Sequence, residues 1–107
     1  MDDLVNRLSQ GGHPVLITRV NNVQEFKQRI DRGYILLKFT ETQGGTELGF
    51  KLDHSETVST DADFERAMGS VHVVGDLILN YDKVRCVADI DLATLKGVGH
   101  LVPVGES

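Results

Sequence analysis

Cysteine occurs once, at Cys86, in a chain of 107 residues that has no tryptophan, two prolines and only 6% aromatic residues. A single thiol excludes an intrachain disulfide, so the core must hold the fold, which suits a reducing compartment. Long apolar runs are also missing. None exceeds four residues, whereas a membrane-spanning helix needs about 20. Met1–Gln10 lacks a basic start followed by an apolar stretch, so no secretory signal is expected. The expectation is a soluble, cytoplasmic protein without membrane contact. No internal repeat or low-complexity segment is seen. What is present, 40% hydrophobic and 25% charged residues, is the composition of one compact domain over residues 1–107. A chain of this length buries roughly two-thirds of its unfolded surface and needs no metal staple.

Basic residues are scarce: eleven Lys and Arg face sixteen Asp and Glu, a formal charge of −5. That opposes binding to a phosphate polyanion, and no nucleic-acid partner is expected. The imbalance is local. Residues 1–52 hold seven basic and six acidic side chains, whereas residues 53–107 hold four and ten. Asp53, Glu56, Asp61, Asp63 and Glu65 lie within thirteen residues that contain no Lys or Arg. Such a run is either a solvated loop or a surface for a basic partner.

Asp2 or Asp3 can cap a short helix bearing Leu4, Val5 and Leu8, which Gly11-Gly12 would stop. Pro14–Val20 is rich in β-branched residues and predicts a central strand. Asn22, followed three residues later by Glu25, predicts a capped helix over 22–32, with Val23, Phe26 and Ile30 on one stripe and Gly33 ending it. Tyr34–Thr42 and Thr46–Asp53 alternate on either side of Gln43-Gly44-Gly45, which predicts a hairpin. Asp61 can cap a further short helix with Phe64, Ala67 and Met68 on one face. Residues 71–81 admit either a turn at Gly75-Asp76 or one long strand with Val71, Val73, Leu77, Leu79 and Tyr81 inward; parity favours the long strand. Tyr81-Asp82-Lys83 then turns into a strand with Val84, Cys86, Ala88 and Ile90 inward. The last strand, Val98–Val104, contains Pro103 and is assigned to an edge, before a mobile tail at Gly105-Glu106-Ser107. Together these predict an α+β domain: a five- or six-stranded, mainly antiparallel sheet with one main helix on a face and one or two short helices.

Reactive constellations are absent as well. His13, His54, His72 and His100 lack metal-ligand spacing, and neither metal nor cofactor is expected. Cys86 sits on an apolar strand face, where a thiol is inert. Gly44-Gly45-Thr46 lies between strands rather than at a helix N-terminus, which argues against a phosphate loop. Asp76, in an apolar setting, is the best candidate for general acid–base work, the alternative being a turn residue or an outward strand residue. Catalysis is therefore not favoured, and the main expectation is an accessory or interaction domain with no catalytic residue. Its contact residues would be the acidic Glu56, Asp61, Asp63 and Glu65, together with an outward apolar stripe of Val74, Ile78, Val87 and Leu101. The partner would be a protein or a second copy, as a homodimer. The alternative is a small-molecule-binding or enzymatic domain with a pocket lined by Tyr34, His72, Asp76 and Tyr81.

Overall fold

A computed structural model describes residues 3–42, 44–79 and 81–104. Its six strands are β1 (His13–Thr18), β2 (Tyr34–Phe39), β3 (Thr46–Leu52), β4 (Ser70–Leu79), β5 (Asp82–Asp91) and β6 (Lys96–Pro103). They pair antiparallel in chain order and close into a barrel, accompanied by helices α1 (Asp3–Leu8) and α2 (Val23–Arg32). The expected α+β sheet packed on a main helix is thereby corrected. Its two ends meet, with β1 on β6 in the register His13↔Gly99 to Leu16↔Lys96. Inward–outward alternation is the same in an open sheet and in a barrel. Only the pairing of first and last strands distinguishes them, and closure satisfies edges that would otherwise be exposed.

The interior is filled by alternating residues from every strand, among them Ile17, Leu37, Phe39, Phe50, Val73, Cys86, Ile90 and Leu101. Val5 and Leu8 of α1 and Phe26 and Ile30 of α2 join the same cluster, and no polar side chain among the described residues is buried in it. Burying a side chain such as Phe26 stabilises by about 1.5–3 kcal/mol. The expected capping holds α2 in place. The Asn22 side chain accepts the Glu25 N–H at 3.0 Å, the Glu25 carboxylate accepts the Asn21 N–H at 3.0 Å, and Gly33 closes the helix with φ 83°. The long-strand reading also holds, since β4 runs through Gly75 without a turn.

Three local expectations change. No helix forms around Asp61–Met68; Asp63 and Met68 instead exchange backbone hydrogen bonds at 2.9 and 3.1 Å. The Asp63 carboxylate accepts the Arg66 N–H at 3.1 Å. The side chains that cap a helix cap a turn equally well, and a segment this short has too little apolar surface to propagate a helix. Tyr81 is not the inward end of β4 but is 97% exposed where β4 turns into β5. Pro103 lies past the last β6 pair with β1 rather than on an edge strand, so its missing donor costs nothing on that side. The expectations for Asp2, Gln43 and the Gly105-Glu106-Ser107 tail fall outside the described residues. No helix among the described residues is long and apolar enough to cross a membrane.

Candidate interaction surface

β4 and β5 pair over ten residues, from Ser70↔Asp91 to Leu79↔Asp82. Among the described residues, β4 meets β3 only at Lys51↔Asp76 and Leu52↔Gly75. Beyond Asp76, therefore, Leu77–Leu79 has a ladder neighbour on the β5 side alone. On the far side of β5, β6 runs on past Gly99, its last partner on β1, to Pro103. The outcome is a three-stranded flap, made of 77–79, 82–85 and 101–104, that extends past the closed girdle of the barrel.

The outer face of the flap carries exposed apolar side chains. Ile78 is 67% accessible, and Val102 and Val104 are also exposed. An open groove of about 500 Å³ runs across it, with Leu77, Ile78, Val84 and Val104 as apolar lining and Asp76, Lys83 and Arg85 as charged lining. Tyr81 crowns the tip with φ 72°. That φ lies in the left-handed region that tight strand connections use. A bulky residue there bears a strain of order 1–3 kcal/mol, of the kind that gathers at functional sites.

Charge is organised at the base of the groove. Arg85 forks onto Asp76, with Nε to Oδ1 at 3.1 Å and Nη2 to Oδ2 at 3.3 Å, and its Nη2 also donates to Asp53 Oδ2 at 3.1 Å. The Asp53 carboxylate accepts the Ser55 hydroxyl at 2.6 Å and the Ser55 N–H at 3.0 Å. The Ser55 hydroxyl, with help from Arg85, holds the Asp53 carboxyl below its ordinary value. Asp53 and then Asp76 raise the Arg85 guanidinium in turn.

The outward stripe foreseen on the sheet is only partly assembled. Ile78 is where expected, and Val87 is half-buried between Val74 and His100. Val74 is covered, because the Thr57 hydroxyl accepts its N–H at 3.2 Å and donates to its carbonyl at 3.3 Å. Leu101 points inward opposite Cys86 and is 1% exposed. A loop precedes β6, so the phase of that strand did not follow from β5; the parity that turns Leu101 in turns Val98, His100 and Val102 out. Glu56, Asp61, Asp63 and Glu65 are all exposed on the segment leading into β4. Arg85, Val102 and Val104 went unrecognised as flap residues, and the alternation in 96–104 was the signal available for the two valines.

The alternative pocket does not assemble. Tyr34 lies on the outer wall with its hydroxyl over Gly49, and His72 bonds Asp89 across β4 and β5 at 2.8 Å. Asp76, four residues further along the same outward face, is about 13 Å from His72, and Tyr81 stands at the tip. Asp76 lines the groove without the other three. Cys86 is buried and its thiol is pushed up to about 12 by desolvation, which removes it as a nucleophile at neutral pH. Among the described residues no three His, Cys, Asp or Glu side chains gather in a metal-binding group.

Residues 18–106 match the family model described as core binding factor beta subunit. Among curated proteins nothing matches the chain.

Proposed function

The chain belongs to the core binding factor beta subunit family, and on that premise we propose that it is a non-catalytic subunit that engages a protein partner through the flap of β4, β5 and β6. A subunit works in assembly with another chain, and the flap offers what such a contact needs. The observation that carries the reading is the loss of the β3 neighbour after Asp76, which leaves an apolar strand edge beside an open groove. A partner segment laid along Leu77–Leu79 gains backbone pairing from the edge and side-chain burial from the groove. Ile78 and Tyr81 supply exposed anchors of the kind that dominate interface energies. Glu56, Asp61, Asp63 and Glu65 are exposed on the segment that leads into the start of β4, away from the groove, and favour a basic partner surface through longer-range steering. The formal charge of −5 supports contact with protein rather than with a phosphate backbone.

The test is recovery of the tagged chain from its own cells in native, Ile78→Lys and Tyr81→Gly forms, each matched for thermal midpoint. The native chain should bring down a stoichiometric partner, and both variants should lose it. Retention of the partner by both variants would contradict the assignment to the flap. Light scattering of the purified chain tests the remaining reading, a homodimer through Ile78: a doubled mass that Ile78→Lys halves would make the second copy the partner.

A further inference from the structure

Ladder pairing is uneven around the barrel. β5 is bound on one side over ten residues and on the other over eight, while β3 and β4 share two pairs among the described residues. We propose that this β3–β4 seam is a gate, which opens while the rest of the barrel stays closed, and that the Arg85 cluster with Asp53 and Asp76 sets how often it opens.

Three holds converge on those two pairs. The first is a fit of shape. Gly75 lacks a side chain, so the Phe50 ring and the Lys51 carbonyl come directly against it; a Cβ there would collide with both. The second is the ion cluster. Arg85 reaches Asp76 on its neighbouring strand and also Asp53, which directly follows β3, so one guanidinium pins both sides of the seam. The third is the 53–58 segment, which stands in for β3 along β4. Asp53 N–H donates to the Val74 carbonyl at 2.8 Å, and Val58 and His72 exchange hydrogen bonds at 2.8 and 2.9 Å.

None of these holds is a ladder, so all can release together without unpairing β5 or β6. The cluster sets the balance because two carboxylates share one guanidinium, and all three groups remain partly open to solvent. Dissolved ions and competing charges therefore reach it. Opening would uncover Phe50, now buried against Gly75, beside the groove that Leu77 already lines. A partner carboxylate bonding Arg85 would draw it from Asp53 and free the 53–58 segment. That last consequence rests on the docking reading, whereas the gate itself does not.

Native-state hydrogen exchange on the isolated chain, resolved by NMR, tests the gate without any partner, so its failure and a failure of the docking reading are distinguishable. The amides of Asp53 and Val74 report the seam; those of Cys86 and Ala88 report the wall. In the native chain the seam amides should exchange at least about tenfold faster than the wall amides. Raising salt from about 0.01 M to about 1 M, which shortens the screening length from about 30 Å to about 3 Å, should widen that ratio. Arg85→Gln should speed the seam about tenfold while leaving the wall within about twofold. Should that variant fail to fold, the salt series on the native chain decides. Seam and wall exchanging at one rate, or accelerating together under either perturbation, would overturn the gate.

Discussion

Gly97 in the wall and Gly75 at the seam are both glycines of a β-barrel strand with no room for a side chain, yet their neighbours differ. At Gly97 an added Cβ runs into the Asp89 carbonyl, and the adjacent strand is locked on both faces of its ladder. At Gly75 it meets the Phe50 ring and the Lys51 carbonyl of a strand joined there by two pairs. Close packing is therefore not the same thing as rigidity. The wall is tight because its backbone is paired on both sides, and the seam is tight because complementary shapes and charges meet at a point.

The largest expected effect sharpens this contrast. Gly97→Ala should cost about 3 kcal/mol or more, at the upper end of overpacking penalties, because nothing nearby can yield. Gly75→Ala should cost about 1–2 kcal/mol, since the seam relieves the clash by parting. Denaturant titration measures both, and equal losses would make the seam as stiff as the wall. Next in size is Ile78→Lys, which should weaken partner binding by at least about tenfold while changing stability by less than about 0.5 kcal/mol. Titration calorimetry with the recovered partner reads the first quantity and thermal melts the second.

A smaller effect comes from Asp53. Its carboxyl is held below the ordinary 3.8, by the Ser55 hydroxyl first and by Arg85 as well. A depressed value means that the stabilisation is complete above the unfolded value and disappears as pH falls through the folded one. The native chain should accordingly be more stable than Asp53→Asn at neutral pH, with the gap closing below about pH 4. Melts of both proteins across the acid range check this; a gap that persists at low pH would mean that charge is not what Asp53 contributes. The smallest effect is expected from changing Glu56, Asp63 and Glu65 together to amides. Stability should stay within about 0.5 kcal/mol, while the salt dependence of partner association flattens. Unchanged salt dependence would leave the segment as a solvated connection.

Much of the local structure was legible in the chain. Asn22, Glu25 and Gly33 bracket α2 because capping chemistry acts within a few residues, and Gly44-Gly45 marks a hairpin for the same reason. Alternation placed Val71, Val73, Val84, Cys86, Ala88 and Ile90 inward, since side chains alternate along any strand whatever its partners are. Closure was not legible, because His13↔Gly99 joins residues far apart in the chain and an open sheet predicts the same pattern. The phase of β6 was lost across the preceding loop, which put Leu101 on the wrong face. The Arg85 cluster was hidden in a similar way. Asp53, Asp76 and Arg85 each look like an ordinary solvent-facing residue until register brings Asp76 opposite Arg85 and the turn after β3 brings Asp53 beside them. Of the residues proposed for contact, Ile78 was recoverable from parity alone, whereas the flap depends on where β3 and β1 stop pairing.

The most direct test of partner docking at the flap is a comparison of hydrogen exchange in the free chain and in its complex with the recovered partner, read along the whole backbone. Docking at the flap predicts new protection concentrated at Leu77–Leu79, Tyr81–Arg85 and Leu101–Val104, with α2 and β2 unchanged. Protection centred on α2 or on the outer face of β2, with the flap amides exchanging as in the free chain, would contradict it.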